Sequence, residues 1–495
     1  MRTPGFPFFM AVVLTLFGAG AKPTVLAQIA LSVGTCWLTW AWARRLVPGG
    51  AALLAALLVA IDPPTVCHSL LLLTETLFTF LLVAALLCLW SCRQSGAALA
   101  RAGSPAASAG APSPAATAPA RALRPGSLRL ALVGALLLGA GALVRPIGLY
   151  LVPLAALWAF VVGQGSGRRR LAIALLVAVV GASLPVGWAL RNQAAGVGFT
   201  LSDIEAANLL LFRAAPVLAR VERTSWDVAG RKLEQEVARL AALEKREAGS
   251  GPAVDRIRRR VAREVLTSHP MATLAVFADG AFRMWVGPGN TDLLILLGVV
   301  TPESPGSWPV TGSPALRAVA SCLAASSVAL RVATIVLTVV GLLGWTRDRR
   351  WPELGFMIAV LAYFTVLSAS PGAYARLRVP ATPAASIVAA AALAGRRRTA
   401  APPLGPGTRI DHGSPRRGRG DATGREARAS GRSPGARRPP APGARKDRRE
   451  AKSPDPSSDA GRGSALALQR KIPAVARPSE AKAGKEEERK DRRCT

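Results

Sequence analysis

The residues best placed to do chemistry are a few charged side chains in an otherwise apolar part of the chain. Arg145 precedes Pro146 between two closely spaced apolar blocks. Arg191 ends a block that contains Pro185 and Trp188, and Arg376 and Arg378 share the short connection 371–380. Arg331 lies near one end of a further block. A planar guanidinium pairs bidentately with phosphate oxygens and stays charged at any relevant pH. At a lipid–water boundary, such a set suits the phosphate of a lipid carrier whose tail remains in the bilayer. Taken singly, each arginine is explained more readily by snorkelling to lipid head groups. Several at one level, beside helix-breaking prolines, put the functional reading alongside that one.

Acidic residues are rarer. Outside the segment 191–315 and the tail there are Asp62, Glu75, Asp348 and Glu353. The last two adjoin arginines and read as surface ion pairs. Asp62, in Ile61-Asp-Pro-Pro64, reads as a helix cap or turn residue. Glu75 lies inside an apolar span near its end, where a carboxylate must be paired or protonated. Its role is either to pair with one of the arginines or to position a substrate, a metal or that arginine.

These residues must be held by membrane-spanning helices. The chain has 495 residues, 51% hydrophobic, with 62 Lys+Arg against 29 Asp+Glu and a net charge of +33. That charge alone suggests a soluble nucleic-acid binder, but the apolar residues form long uninterrupted blocks. Crossing about 30 Å of hydrocarbon takes roughly 20 helical residues. Candidate spans lie at 23–43, 69–92, 128–144, 147–163, 170–190, 328–346, 352–370 and 378–395, with a shorter or tilted one at 50–62. Arg44–Arg45, Arg93 to Arg129, Arg168–Arg170, Arg347–Arg350 and Arg396–Arg398 recur at every second boundary, which places those boundaries on the cytoplasmic side. The arginines of the first paragraph then lie on the outer side.

The expected architecture is an all-α polytopic transmembrane bundle in four parts. Residues 1–190 form N-terminal spans interrupted by a cytoplasmic Ala/Pro/Ser/Gly linker at 94–127. Residues 191–315 form an extracytoplasmic helical loop subdomain close to charge balance, with amphipathic helices at 226–248 and 252–268. Residues 316–395 form C-terminal spans. Residues 396–495 lack runs of large apolar side chains and cannot offset their ordering entropy, so a disordered cytoplasmic tail is expected. Six cysteines and three histidines show no metal or redox spacing. Segment 4–20 is a poor full span and reads as a helix on the outer interface. That topology expects a further span upstream, a signal peptide being the lesser reading.

Five stretches, in this order, resemble the multi-spanning C-type glycosyltransferases: Arg2-Thr-Pro-Gly-Phe-Pro7, Leu73-Thr-Glu-Thr-Leu-Phe78, Val144-Arg-Pro146, Trp188-Ala-Leu-Arg-Asn192 and Ala375-Arg-Leu-Arg-Val-Pro-Ala-Thr-Pro383. With His269-Pro270 near the end of the outer loop, the set is similar to bacterial proteins akin to protein mannosyltransferases and lipid A aminoarabinose transferases. The resemblance spans roughly 1–395. It implies transfer of a sugar from a polyprenyl-phosphate donor to a glycan, lipid or protein acceptor on the outer face of a bacterial inner or plasma membrane.

Carried over residue by residue, Arg145, Arg191, Arg376 and Arg378 contact the donor phosphate, and Glu75 organises the pocket. Asn192 and Asn208 are substrate-contact candidates. A divalent metal is compatible with the family, but no cofactor is firmly implied. The family's usual catalytic Asp lies in a first outer loop preceding the Thr-Pro-Gly-aromatic-Pro motif, which here starts at Thr3. The resemblance therefore implies that this Asp is missing, leaving Asp62, Glu75 or Asp203 as substitutes. If Met1 is the true start, little or no transferase activity is expected. Competing readings are a transporter or flippase for a lipid-linked substrate, a catalytically inactive truncated membrane protein, and an anchor for the basic tail. That tail has no aromatic residue to stack on bases, so no specific nucleic acid is expected.

Overall fold

The computed structural model describes residues 3–102, 125–163, 165–202, 204–244, 251–287, 289, 294–295, 313–370 and 375–399. Every regular element among them is helical. Helices α1 (Gly5–Phe17), α2 (Ala21–Ala43), α3 (Gly49–Ala60), α4 (Pro63–Leu70), α5 (Glu75–Ala102) and α6 (Pro125–Val144) lead to a 3-10 turn, Pro146–Tyr150. Helices α7 (Leu151–Val162) and α8 (Gly167–Ala194) follow. The next group is α9 (Ile204–Leu209), a π-helical turn Leu210–Ala214, α10 (Ala215–Glu222), α11 (Trp226–Leu243), α12 (Pro252–Ser268) and α13 (Pro270–Val286). Then come α14 (Pro314–Arg347), α15 (Trp351–Ser368), a second 3-10 segment Ala375–Ala381, and α16 (Thr382–Thr399).

Local sequence accounts for many of the helix starts. Asp62, Ser166, Ser225 and Ser313 are N-caps whose side chains accept backbone N–H bonds. Proline occupies the first turn of α4, α12, α13 and α14, where it removes no intrahelical bond.

Among the described residues, seven helices are long and apolar enough to cross a membrane, or eight if α3 and α4, bent by 54° at Asp62, count as one broken span. The chain is thus an integral, multi-pass membrane protein. Several expected boundaries move. The 147–163 span is a 3-10 turn followed by a 12-residue helix, so Pro146–Val162 is one of the shorter apolar helices and the expected nine spans become eight. Pro146 permits no preceding α-helical continuation, which explains the tight turn. The 69–92 span begins only at Glu75, because Leu71 to Thr74 break the helix. At its other end, α5 continues to Ala102, into the expected linker, whose centre at 103–124 lies outside the described residues.

The 328–346 span is the inner part of a 34-residue helix that starts at Pro314. At 1.5 Å per residue, that helix is about 51 Å long, so it projects well beyond the hydrocarbon. In the segment 191–315, α11 and α12 fall where amphipathic patterning puts them, and α13 is an additional helix opened by Pro270. Helix α16 runs through Arg396–Arg398 to Thr399, so helix continues past the expected tail boundary. The rest of the tail, 400–495, lies outside the described residues.

The bundle core combines aromatics with close backbone contacts. Trp42, Trp90, Trp158 and Phe356 interlock, with Trp158 and Phe356 ring centroids 4.5 Å apart. Helix α16, rich in alanine, is the most buried span. At Gly341 of α14 an added Cβ would lie 2.1 Å from the Val388 carbonyl oxygen of α16. Small residues allow this approach where apolar transfer alone gives helices no reason to associate. Gly341→Val is therefore expected to cost about 1–3 kcal/mol by overpacking, read as a lower melting temperature of the purified protein against an unchanged Gly344→Val control, whose Cβ meets nothing within 4 Å.

Candidate functional site

Two buried carboxylates, each held by two arginines, sit where α4, α5 and the 3-10 segment 375–381 meet. Glu75, at the first position of α5, is fully buried. Its Oε1 accepts from Arg145 Nη1 at 2.6 Å and from Arg376 Nε, and Thr74 donates to Oε2 at 3.4 Å. Asp62 is also buried. Its Oδ2 accepts from Thr65 Oγ1 at 2.8 Å, while Oδ1 pairs with Arg331 and lies 3.7 Å from Arg378 Nη2.

The 3-10 segment explains how neighbouring arginines serve different carboxylates. At three residues per turn, positions two apart point about 240° apart. Arg376 therefore reaches Glu75, while Arg378 turns to Asp62. Arg378 also donates through Nη1 to the carbonyls of Met284 at 3.0 Å and Gly287 at 2.6 Å, at the C-terminus of α13. A cation is favoured at that negative helix end. His269-Pro270, noted in the sequence, opens this same helix.

Four of the five motif stretches converge. Thr3 Oγ1 donates to the Val144 carbonyl at 3.2 Å, and a Cβ on Gly5 would sit 2.8 Å from the Leu143 backbone, so the first motif packs against the third. The second motif joins the third and fifth through Glu75, Arg145 and Arg376. Thr76 Oγ1, donating to the His68 carbonyl at 2.9 Å, ties α5 to α4. The fourth motif makes its own small cluster. Arg191 lies over the Trp188 ring at 4.9 Å and donates to Asn192 Oδ1 at 3.2 Å. Asn192 is buried, and its amide donates to the Thr200 carbonyl at 2.8 Å, holding the loop after α8. Asn208 is exposed on α9, and Asp203 lies outside the described residues.

Exposure separates the arginines. The Arg145 and Arg376 side chains are 19% and 28% accessible, against 4% for Arg331 and 0% for Arg378. The Glu75 cluster is a shallow pair of cations with its counter-ion beneath. The Asp62 cluster is a deep one, in which Arg331 Nε and Nη1 and Arg378 Nε have no hydrogen-bond partner among the described residues. Arg331 also borders an apolar cleft of about 250 Å³ between α13, α14, α15 and α16, lined by Trp285, Thr338, Ile358 and Leu361 among others.

Some contributing residues escape sequence reasoning. Tyr363 donates to the Ile147 carbonyl and so props the turn behind Arg145. Arg213, in the π-helical turn, donates to the Leu367 carbonyl at the end of α15 and lies 5.1 Å from the Phe277 ring. Burial pulls its guanidinium below the ordinary arginine value. An arginine in the apolar run Leu209 to Ala215 was the available signal. Arg331 stands out in sequence as misplaced, but nothing there pairs it with Asp62.

As to a metal, among the described residues no three His, Cys, Asp or Glu side chains group so as to hold one. Glu75 Oε1 and Asp62 Oδ1 already accept from guanidiniums, and Glu75 Oε2 and Asp62 Oδ2 from Thr74 and Thr65, an arrangement that does not fit a divalent cation.

Residues 1–103 match the family model described as dolichyl-phosphate-mannose-protein mannosyltransferase. This chain is thus similar over that stretch, which holds Asp62 and Glu75, to the family its motifs resemble. Among solved structures it is similar to the oligosaccharyltransferase of Archaeoglobus fulgidus. A crystal structure tethered to an acceptor peptide containing the NVT sequon is 15% identical, with a TM-score of 0.41 over 80% of this chain and 42% of that one. The complex with an inhibitory peptide and a dolichol-phosphate is 16% identical, with a TM-score of 0.42 and the same coverage. The chain therefore spans less than half the length of these structures. Comparison with curated proteins finds no match.

Proposed function

We propose that this chain is a membrane glycosyltransferase that takes a sugar from a polyprenyl-phosphate donor at the outer face of the membrane. Its similarity to the dolichyl-phosphate-mannose-protein mannosyltransferases over residues 1–103 is the premise. The single observation that carries the reading is the partly accessible Arg145–Arg376 pair fixed on buried Glu75. Two cations over one carboxylate leave a net positive edge at the end of α6, where a lipid phosphate would lie. The arginine pattern supports placing that edge outside and the tail on the cytoplasmic side.

In the reaction, the bond between the sugar's anomeric carbon and the phosphate oxygen breaks. The electron pair leaves with polyprenyl phosphate, and an acceptor oxygen bonds to the anomeric carbon as its proton passes to a base. Charge grows on the phosphate, so fixed guanidiniums aimed at it stabilise the transition state more than the ground state. Glu75 holds both guanidiniums in place before the donor arrives. Being buried and doubly paired, Glu75 and Asp62 are positioning residues in this reading rather than the general base. Arg378 and Arg331 support the segment that carries Arg376. Arg191, exposed beside Trp188, is a second phosphate contact or holds the end of α8. The apolar cleft beside Arg331 has the character to take part of the isoprenoid tail, and the acceptor is a glycan, lipid or peptide hydroxyl.

The test is transfer of labelled sugar from a synthetic polyprenyl-phosphate donor to extractable glycan, lipid or protein in membranes that express the full-length chain. The expected result is label transfer that requires the lipid phosphate. Label that stays on the donor while membranes of a Glu75→Gln variant behave identically would contradict the proposal.

A further inference from the structure

Helix α12 carries a basic face that the transfer site does not use. Arg256, Arg259, Arg260 and Arg263 follow an i, i+3, i+4, i+7 spacing and line one open groove of about 410 Å³, with Glu264 and Thr267 at its end. The helix sorts its charges. Arg258, which turns away, is paired with Asp255 at 3.3 Å and Glu234 at 3.4 Å. The apolar face, Val254, Ile257, Val261 and Ala262, is buried against α9 to α11. In the groove, Arg260 is 3.5 Å from Glu244, and Glu264 is the one acidic lining residue. Like charges at these spacings destabilise a helix, so the face lacks a folding rationale of its own.

Its position points to a partner. Pro252, which opens α12, packs at Gly198, whose added Cβ would be 3.5 Å away, so the helix starts beside the loop that leaves the α8 span. Arg259 acts electrostatically on Tyr150, a half-exposed residue at the end of the turn that follows Arg145. Tyrosines commonly mark the head-group level. Immediately after α12, α13 exposes Met271, Leu274 and Phe282 along one side. An arginine face next to an exposed apolar stripe, at a membrane boundary, is the chemistry of a surface that meets acidic lipid.

We infer that the arginine groove of α12 binds the phosphate head groups of anionic phospholipids at the bilayer surface. Guanidiniums in this arrangement cover several phosphate oxygens at once. The face anchors helices α9 to α13 to the membrane beside the turn that follows Arg145. The inference needs no assumption about sugar transfer, and its readout is independent of activity.

The experiment is lipid retention by the full-length protein, purified in detergent and equilibrated with equal phosphatidylglycerol and phosphatidylcholine, with bound lipids counted by native mass spectrometry. Wild type should retain phosphatidylglycerol preferentially. The R256Q/R259Q/R263Q variant should lose at least about tenfold of that preference, since each surface arginine contributes about fivefold. The matched variant R231Q/K232Q/R239Q, with the same change of charge on α11, should keep it. A lysine triple at 256, 259 and 263 should retain most of the preference, which guards against misfolding in the glutamine variant. Equal losses in both glutamine triples would make the effect one of net charge and overturn the assignment. So would a wild type without preference. Groove-dependent binding of inositol hexakisphosphate with unchanged lipid retention would give the groove to a soluble polyanion, and also overturn it.

Discussion

Replacing Arg145 and Arg376 together with alanine should lower sugar transfer per folded, inserted protein by about 10²–10³-fold or more, the range found when a donor aimed at developing charge is removed, and should also lower yield, because buried Glu75 is left without a cation. The reasoning is local. Both guanidiniums meet Glu75 Oε1 and both retain partial access to solvent. The loss should fall mainly on the chemical step, because the charge they face increases as the phosphate leaves. Each single variant leaves Glu75 with one arginine, so it should insert and be partly active. Lysine at 145 should recover little, since a point charge does not reproduce the planar fork. The readout is transferred label per inserted protein. Unchanged transfer in the double variant would remove Arg145 and Arg376 from the reaction.

The second large effect is on stability. Asp62→Ala removes the N-cap of α4 and the only carboxylate that, among the described residues, pairs with Arg331 and Arg378. Two cations, both nearly inaccessible, are left facing one another. Removing one partner of a buried ion pair costs about 3–5 kcal/mol, and loss of the cap adds about 1 kcal/mol. Asp62→Ala should therefore lower the melting temperature of the purified protein far more than Arg145→Ala does. The triple D62L/R331M/R378M, which removes the charges together, should recover much of the loss, as apolar replacements of buried ionic groups often do. A D62A protein as stable as wild type would show that the Asp62 cluster is not a structural pair.

What was legible in the sequence follows from how far each signal reaches. Apolar length is local, so most spans are visible as blocks, and the arginine alternation orders them. The turn at Pro146 and the break at Leu71 to Thr74 shorten two spans, because the backbone there bends to bring Arg145 and Glu75 together. The extra turns of α14 are invisible to hydropathy, since its first part projects past the hydrocarbon. Glu75 declares itself as a carboxylate that needs a partner, and that partner is an arginine of the set. Its identity as Arg145 and Arg376, rather than Arg378, depends on the 240° divergence within a 3-10 segment, which sequence spacing does not specify. Asp62 reads locally as a cap, and it is one. Its second role depends on Arg331, 269 residues away. Asn192 reads as a substrate contact from its motif, whereas its amide and carbonyl bond the Thr200 carbonyl and Arg191.

The central claim is that the Arg145–Arg376 edge is a phosphate site for a lipid-borne donor. The most direct measurement is the affinity of the purified full-length protein for polyprenyl phosphate itself, without sugar or acceptor. It should be compared between wild type and R145A/R376A, with unphosphorylated polyprenol as the control. Saturable binding of the phosphate, at least about tenfold weaker in the double variant, with polyprenol binding alike to both, is the predicted result. Equal phosphate affinity in the two proteins would contradict it.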